Sequence, residues 1–338
     1  MTLASTQPRQ AAPPPSEDYR ALRERCGLLD RSERGKLALT GAGAVEFLNG
    51  QVTNELADLR PGEGRYAAFL THKGKMLGDL RILALGEDPA QPPAELLLDT
   101  ERVALQGLFD MIRRFKVGYA VELHKRTLER SLLSLIGPAA SSVAGSQDLA
   151  ADEHANAPVQ LEGVSALAVR TAEGIDLICD AAHTERLAAV LLERGALRVS
   201  AEAAECLRVE RGRPRYGIDM DESTIPHEAG LNERAVSFSK GCYVGQETVA
   251  RLFYRGKPNR HLRGLRLSGR AGTDDQLRLG DRPVGRLGSA ALSPALGPIG
   301  LALVRREAEP GAVLDVGENG VTAEVCELPF SAREPQRR

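Results

Sequence analysis

The pattern of apolar residues changes near residue 260, and this change constrains the fold more than any other feature of the sequence. Beyond it, short apolar runs follow one another closely, with glycine and proline between them. Examples are Gly264 to Leu267, Pro283 to Leu287, Ile299 to Val304 and Ala312 to Val316. Short strands with frequent turns are typical of a small barrel. We therefore predict a C-terminal β-barrel over residues 260–335.

The preceding part of the chain mixes helical and strand patterns, which predicts α+β units. Apolar residues recur at helical spacing over residues 43–57, and a second helix is expected with Thr100 as its N-cap. Residues 137–160 carry no periodicity and are expected to form a surface helix or loop. Further predicted elements are strands at Tyr66 to Leu70, Leu77 to Leu85, Glu95 to Leu98 and Ile175 to Cys179, and helices starting at Thr184 and Ser200.

Composition excludes several classes of protein. The chain has 338 residues, with 44 basic against 46 acidic side chains and no tryptophan. We therefore expect neither an extended surface that binds a polyanion nor an aromatic platform on which nucleic-acid bases stack. Its five cysteines form no CxxC pair, which predicts no metal site and a cytoplasmic protein with reduced thiols. Apolar runs are too short to span a membrane. Residues 1–16 hold four prolines and one charge, and we expect a disordered tail there.

The segment Lys240-Gly241-Cys242-Tyr243-Val244-Gly245-Gln246-Glu247 carries the most distinctive chemistry. Two glycines flank the thiol of Cys242 and leave room for a small molecule. If residues 246–252 are helical, the helix N-terminus and Lys240 both favour the thiolate form of Cys242. A buried, inert cysteine is the alternative, and the residues alone leave both interpretations open.

Other partners for this thiol are less well supported. His227, in Ile225-Pro226-His227-Glu228, is a conceivable general base, but a loop residue is the preferred interpretation because the sequence gives no geometry for a dyad. Cys206 and Cys242 lack the thiolate-rich spacing that holds an iron–sulfur cluster. Permanent cluster ligation is therefore not expected.

The same segment, KGCYVGQETVAR, closely resembles the signature of the YgfZ family, the folate-binding, iron–sulfur maintenance branch of the glycine cleavage T-protein superfamily. Three further stretches match in order: FLNGQVTN from Phe47, GKMLGDLR from Gly74 and LRVERG from Leu207. The resemblance covers roughly residues 20–335. It implies a three-domain ring of mixed α/β N-terminal and middle domains and a C-terminal small barrel, around a hole that receives tetrahydrofolate with its pterin end inside.

On this resemblance we expect residues 17–55 plus 120–250 to form a discontinuous folate-binding domain, with residues 56–119 as an inserted domain. Arg208 matches the arginine of the element that lines the folate site, although an exposed helix arginine is an ordinary alternative. T-proteins carry paired aspartates where this chain has Gly78-Asp79, and their glutamate-bearing stretch is shortened to Thr171-Ala172-Glu173-Gly174. These departures disfavour glycine cleavage activity and leave Asp79 and Glu173 as folate contacts.

Residues 251–270 form a local basic run with seven lysines or arginines and no acid. A solvated linker into the barrel is the default interpretation. The alternatives are an anion site for the polyglutamate tail of a folate or for an RNA backbone, and direct RNA binding is not expected because the remainder of the chain is net acidic.

The function predicted from these features is a tetrahydrofolate-binding accessory protein for iron–sulfur cluster assembly or repair, which would support tRNA modification indirectly. Its partners would be folate and iron–sulfur enzymes or cluster-assembly proteins. The alternatives are a folate-dependent aminomethyltransferase of the T-protein type and an RNA-binding module. The predicted site comprises Cys242 and Lys240 as catalytic residues, Gly241, Tyr243, Gly245, Gln246 and Glu247 as motif residues, and Arg208, Asp79, Glu173, Tyr66 and Arg251 for cofactor binding.

Overall fold

The computed structural model of the protein describes residues 12–330, which form three β-sheets flanked by short helices. The strands are β1 (Gly27–Asp30), β2 (Gly35–Thr40), β3 (Gly64–Leu70), β4 (Met76–Leu85), β5 (Glu95–Thr100), β6 (Glu122–Lys125), β7 (Arg130–Ile136), β8 (Asn156–Leu161), β9 (Val164–Thr171), β10 (Gly174–Asp180), β11 (Leu197–Arg198), β12 (Arg260–Leu267), β13 (Gln276–Leu279), β14 (Arg282–Arg286), β15 (Ala290–Ser293), β16 (Gly297–Arg305), β17 (Val313–Val316) and β18 (Val321–Cys326). The helices are α1 (Glu17–Glu24), α2 (Ala44–Asn49), α3 (Leu105–Phe115), α4 (Ala140–Val143), α5 (Thr184–Glu193), α6 (Ala201–Glu210), α7 (Asn232–Ala235) and α8 (Gln246–Arg255).

The first sheet has the strand order β11-β1-β7-β10-β9-β8, and the middle sheet has the order β3-β4-β5-β2-β6. Each buries an apolar face against its own helices. Strands β7 and β10 are buried along nearly their whole length, because both faces of the first sheet are covered there. A separate apolar cluster, to which both sheets contribute, packs them against each other: Ala38, Leu83, Leu97, Leu132, Val169 and Ile178. The two sheets therefore form one body.

The third sheet closes on itself, because β12 pairs with both β18 and β16. Strands β12, β18, β17, β13, β14 and β16 make a six-stranded antiparallel barrel, to which β15 adds an edge. Val209 of α6 packs against Ile299 and Leu301 of the barrel. The predicted α+β fold class with a terminal β-barrel is thus confirmed. The barrel strands lie between Arg260 and Cys326, and the predicted domain end at 335 lies outside the described residues.

Several predicted elements differ in length or kind. The helix expected over 43–57 ends at Asn49, and Val52 and Leu56 are buried in extended chain instead, where Val52 bridges to Phe69 of β3. Thr100 is the last residue of β5, and its hydroxyl donates to the Asp79 carbonyl at 2.5 Å rather than capping a helix. The stretch 137–160, expected to be a helix or loop, also contains strand β8.

The sheets also divide the chain differently from the expected domain boundaries. The middle sheet takes β2 and β6 from residues 35–40 and 122–125, which flank the predicted inserted segment of 56–119. The predicted tail falls largely on residues 1–11, outside the described part, while Ser16 caps α1 by accepting from the Tyr19 amide at 3.2 Å. Among residues 12–330 no helix is long and apolar enough to cross a membrane.

Candidate functional site

A cavity of about 250 Å³ lies where the first sheet, the middle sheet and α6 meet. Seven arginines and six carboxylates line it, together with few apolar side chains. Of the predicted cofactor-binding residues, Tyr66, Asp79, Glu173 and Arg208 line this cavity and Arg251 does not. A lining with this density of charge suits a polar, charged ligand better than an apolar one.

Asp79 on β4 is the most deeply placed predicted residue. Its carboxylate accepts a short hydrogen bond from the Tyr66 hydroxyl, and only 8% of the residue is exposed. Burial raises the pKa of Asp79 to about 6, although the Tyr66 hydrogen bond acts in the opposite direction. Burial also raises the pKa of Tyr66 well above its ordinary value, so the tyrosine stays a donor. The pair places a carboxyl group that titrates near neutral pH inside the cavity.

The residue beside Asp79 cannot supply a second carboxylate. Gly78 faces the opposite side of β4, because neighbouring strand residues alternate. A Cβ atom there would lie 2.6 Å from the Cβ of Ala104 and 2.6 Å from the Phe69 ring. An aspartate at position 78 would therefore not place a second carboxylate beside Asp79 in the cavity.

Two arginines of the cavity are fixed by a buried aspartate. Arg34 donates to Asp99 at 2.8 Å and to Glu101, while Arg81 donates to the second Asp99 oxygen at 2.6 Å. Arg81 also reaches Asp176 of β10 at 2.6 Å and so links the middle sheet to the first. Burial alone would raise the pKa of Asp99, but the two guanidinium groups hold it well below its usual range.

Arg208 has a different role from the predicted one. All five N–H groups of its guanidinium are occupied: by both Glu205 oxygens, by Asp219 at 2.9 Å, by the Arg213 carbonyl and by the Ser289 hydroxyl of the barrel. A guanidinium carries five such donors. Arg208 therefore joins α6 to the following segment and to the barrel, and it has no donor left for a folate carboxylate.

Other arginines of the cavity retain binding capacity. Within residues 12–330 the Arg31 guanidinium has no hydrogen-bond or ion-pair partner. One terminal nitrogen of Arg213 lacks a hydrogen bond and has only a long ion pair with Glu153, at 3.8 Å. Glu173 lies nearby and pairs with Arg211 at 3.1 Å, and burial raises the pKa of its carboxyl group. Arg31 and Arg213 were not predicted from the sequence, because nothing in their local pattern distinguishes them from surface arginines.

His154 is a further cavity residue that the sequence prediction missed. It lies in left-handed backbone at φ 73°, is 6% exposed, and neither ring nitrogen has a hydrogen-bond partner. Burial lowers its pKa to about 4, so the imidazole is neutral at pH 7. Its neighbour Glu153 holds Arg234 at 2.7 Å and closes this side of the cavity.

The Cys242 segment lies elsewhere on the molecule. Cys242 and Gly241 are exposed, and no residue from 240 to 247 lines the cavity. Lys240 is buried, and its ammonium group donates to the carbonyls of Asn49, Val52 and Asn54 at 2.6–2.9 Å. Burial lowers the pKa of Lys240 to about 8. Because all three N–H bonds are used, Lys240 stabilises the loop after α2 and has no donor left for Cys242.

The remaining motif residues shape the turn. Gly245 has φ 84° and directly precedes α8; a Cβ there would lie 2.6 Å from the Thr71 carbonyl and 3.1 Å from the Cα of Gly74. Tyr243 is buried beneath the turn, the Gln246 amide nitrogen lies 3.4 Å from the Gly241 carbonyl, and Glu247 is exposed. The motif thus packs its backbone against the tip of the β3–β4 hairpin. His227 lines a separate cavity with His261.

The basic run divides into two parts. Arg260 pairs with Glu228 at 2.8 Å and Arg263 pairs with Glu327, so both are part of the barrel's own charge network. Arg251, Arg255 and Lys257 are exposed on and after α8.

Two sheets with a charged cavity between them, followed by a six-stranded barrel, are an architecture that this chain shares with a glycine cleavage T-protein of known structure. The aminomethyltransferase T of the glycine cleavage system from Bartonella henselae superimposes with a TM-score of 0.80 at 24% identity, covering 94% of this chain and 89% of that one. Residues 5–240 match the GCVT N-terminal domain family, and residues 260–331 match the glycine cleavage T-protein C-terminal barrel domain. The chain belongs to the glycine cleavage T-protein (GCVT) family.

Curated relatives carry one name. A protein of Streptomyces coelicolor is 30% identical over 340 residues, covering 94% of this chain and 90% of its own length, and one of Streptomyces avermitilis is 31% identical over 347 residues, again covering 94% and 90%. Both are named aminomethyltransferase. The prediction of an iron–sulfur accessory protein is therefore wrong, and its alternative, an aminomethyltransferase, agrees with these relatives. The iron–sulfur prediction depended on the single segment around Cys242, whereas the similarity to aminomethyltransferases extends over 94% of the chain.

Proposed function

We propose that this protein is a folate-dependent aminomethyltransferase that binds tetrahydrofolate in the central cavity. The observation that carries the proposal is the hydrogen-bonded Asp79–Tyr66 pair in a cavity that also contains Arg31, whose guanidinium has no partner within residues 12–330. Family membership and the names of the relatives support it.

The cavity residues fit the chemistry of this ligand. A pterin ring has a donor and acceptor edge that suits a carboxylate such as Asp79, and the glutamate tail carries carboxylates that suit Arg31 and Arg213. A volume of about 250 Å³ is slightly below the range of roughly 300–1,000 Å³ usual for ligand sites. The ring system is therefore expected inside and the tail towards the opening.

Bound tetrahydrofolate would supply the nitrogen that takes over the one-carbon unit of an aminomethyl group, with release of ammonia. Asp79 in its ionised form offers negative charge where positive charge develops, and its pKa of about 6 also allows it to accept a proton near neutral pH. Tyr66 fixes the orientation of that carboxylate. Arg34 and Arg81, held by Asp99, keep the cavity wall rigid around it.

The test combines binding with turnover. Purified protein is titrated with tetrahydrofolate in a calorimeter, and ammonia release from an aminomethylated dithiol donor is followed with and without the folate. We expect binding, and turnover only when both substrates are present. Absence of folate binding contradicts the proposal, whereas binding without turnover on several donors leaves a folate-binding protein that is not this enzyme.

The KGCYVGQE segment supports a place for the chain within the YgfZ branch of the family, and that place stays a prediction. The same holds for the predicted cytoplasmic location and for a polyglutamate tail at the basic run. Pairing of Arg260 and Arg263 with carboxylates leaves fewer free cations in this run for a polyanion.

A further inference from the structure

Three neighbouring strands of the middle sheet bring a row of charged side chains together. Arg34 directly precedes β2, Glu101 directly follows β5, and Asp79 lies within β4. Leu80 of β4 pairs with Thr100 of β5, and Thr100 in turn pairs with Gly35 of β2. Continuing both registers by one residue places Glu101 opposite Asp79 on one side and opposite Arg34 on the other. Opposite residues of an antiparallel pair share a face, with Cβ atoms roughly 5 Å apart. All three line the cavity.

This row has an excess of negative charge. Arg34 donates to Glu101 and to Asp99, and Asp99 also pairs with Arg81, which in turn reaches Asp176. Lys36 lies opposite Asp99, and its ammonium donates to the carbonyls of Ser32 and Arg34. Three cations thus face four carboxylates once Asp79 is included. The neutral Tyr66 hydroxyl gives Asp79 a hydrogen bond without a balancing charge. Like charges directly opposite each other are unfavourable unless a proton or a cation lies between them.

We infer that Glu101 and Asp79 form a carboxylate pair that binds the positively charged one-carbon centre of the substrate. The inference rests on the proposed function and adds a residue to it. It also explains why the chain manages with glycine at position 78: the second carboxylate comes from the neighbouring strand. Glu101 is 25% exposed on its side chain, so it remains reachable from the cavity.

Two folates separate charge recognition from general folate binding. 5,10-Methenyltetrahydrofolate carries a delocalised positive charge between its two bridged nitrogens. 5-Formyltetrahydrofolate has the same pterin and tail but lacks the bridge and is neutral there, and a change in the ratio between variants cancels this difference in shape. The ratio of their dissociation constants, measured at one pH, reports the preference for a cation. We expect the unmodified protein to prefer the methenyl form by about tenfold or more, since one close charge corresponds to at least one decade.

Variants at position 101 test whether Glu101 causes the preference for the methenyl form. Glu101→Gln is expected to lower the methenyl preference about tenfold and to leave 5-formyltetrahydrofolate binding unchanged, while Glu101→Asp retains most of it. Glu129→Gln is the matched control, since Glu129 also pairs with an arginine, Arg126 at 2.6 Å, but lies outside the cavity. Melting temperatures of all variants show whether each still folds.

A second readout follows the titration of Asp79. The charged or titratable groups around it are Tyr66, Tyr216, Arg34, Glu101, Arg81, Asp99, His154 and Arg234. Glu101 contributes to the raised pKa of Asp79, so its removal is expected to shift the acidic limb of the pH–rate profile to lower pH. If both folates bind but Glu101→Gln alters neither the preference nor this limb, the inference fails and the proposed function stands. If neither folate binds, the proposed function fails and the inference with it.

Discussion

The central cavity and the Cys242 segment differ in nearly every physical respect. The cavity is lined by charged side chains from strands and helices far apart in the sequence. Asp79, Arg81 and Asp176 are buried, and Arg81 pairs with both Asp99 and Asp176. The Cys242 segment is eight consecutive residues, with its thiol exposed and its lysine engaged by backbone carbonyls. A contiguous motif is easy to recognise, but here it forms a surface turn. The charged side chains of the cavity, which offer more chemistry, are dispersed along the sequence and come together only in the fold.

The largest effect that separates the two regions is expected from Asp79→Asn. Removal of the ionisable group from the cavity is expected to lower turnover by about 100-fold or more, because both its charge and its proton acceptance are lost. The asparagine has the same size, so folding should be preserved. Ammonia release is the measurement, and Asp110→Asn on the exposed face of α3 is the control. Turnover within threefold of the unmodified protein would remove Asp79 from the mechanism.

The pH dependence of the unmodified protein sharpens the same point. Since the ionised carboxylate is the active form, kcat/KM is expected to rise as the pH increases through about 6. The contribution of Asp79 to the free energy of unfolding changes in the opposite direction and decreases as the pH rises. The folded carboxyl keeps its proton where the unfolded one, with a pKa near 3.8, has lost it, so this group's contribution to the free energy of unfolding falls between pH 4 and pH 6. Asp79→Asn should abolish both trends, as rate profiles and urea unfolding at several pH values would reveal.

The next largest effect is expected on the stability of the protein, from a substitution at Lys240 in the Cys242 segment. Lys240→Met leaves three backbone carbonyls without their donor and is expected to lower the free energy of unfolding by about 2–4 kcal/mol. Chemical denaturation measures this, and Lys73→Met at the exposed hairpin tip is the control. A folded variant of normal stability that has lost turnover would instead support a catalytic Lys240.

Two arginines of the cavity allow a finer comparison. Arg31→Ala is expected to weaken tetrahydrofolate binding about tenfold with little change in stability, because its guanidinium has no partner within residues 12–330. Arg208→Ala is expected to lower stability first, since five hydrogen bonds are lost. Calorimetric titration paired with thermal unfolding distinguishes the two. The reverse assignment would restore Arg208 as the tail-binding residue.

The smallest effect is expected from Cys242→Ala. An exposed side chain outside the cavity contributes within about 0.5 kcal/mol to stability, and folate affinity and turnover should stay within about twofold. A tenfold loss of turnover in this variant would connect the Cys242 segment to the chemistry after all.

Much of the architecture could be predicted from the sequence because it follows local patterns. The short runs after residue 260 give the barrel, and the spacing of Leu187 and Leu191 gives α5. The pattern failed where apolar residues at helical spacing were buried in extended chain, as at Val52 and Leu56. Spacing alone does not distinguish one buried helix face from a loop folded over a core.

The site was only partly predictable. Tyr66, Asp79 and Glu173 were placed in it by resemblance, whereas Arg34, Glu101 and Arg31 were missed. A usable signal existed: charged residues two apart occur at the ends of apolar strands, as in Arg34 with Lys36, Asp79 with Arg81, and Asp99 with Glu101. Their alignment in one row depends on strand register, which a single sequence does not fix.

The close contact between Gly74 and Gly245 ties the Cys242 turn to the tip of the hairpin whose second strand carries Asp79. Among the five cysteines, Cys242 is the exposed one, while Cys26, Cys179 and Cys206 are buried and Cys326 is half-buried. A fluorophore attached through thiol chemistry would therefore label the molecule at one preferred position. A fluorophore on Cys242 can thus report on ligand binding. If a ligand in the cavity shifts the β3–β4 hairpin, the fluorescence of the label at the surface should change.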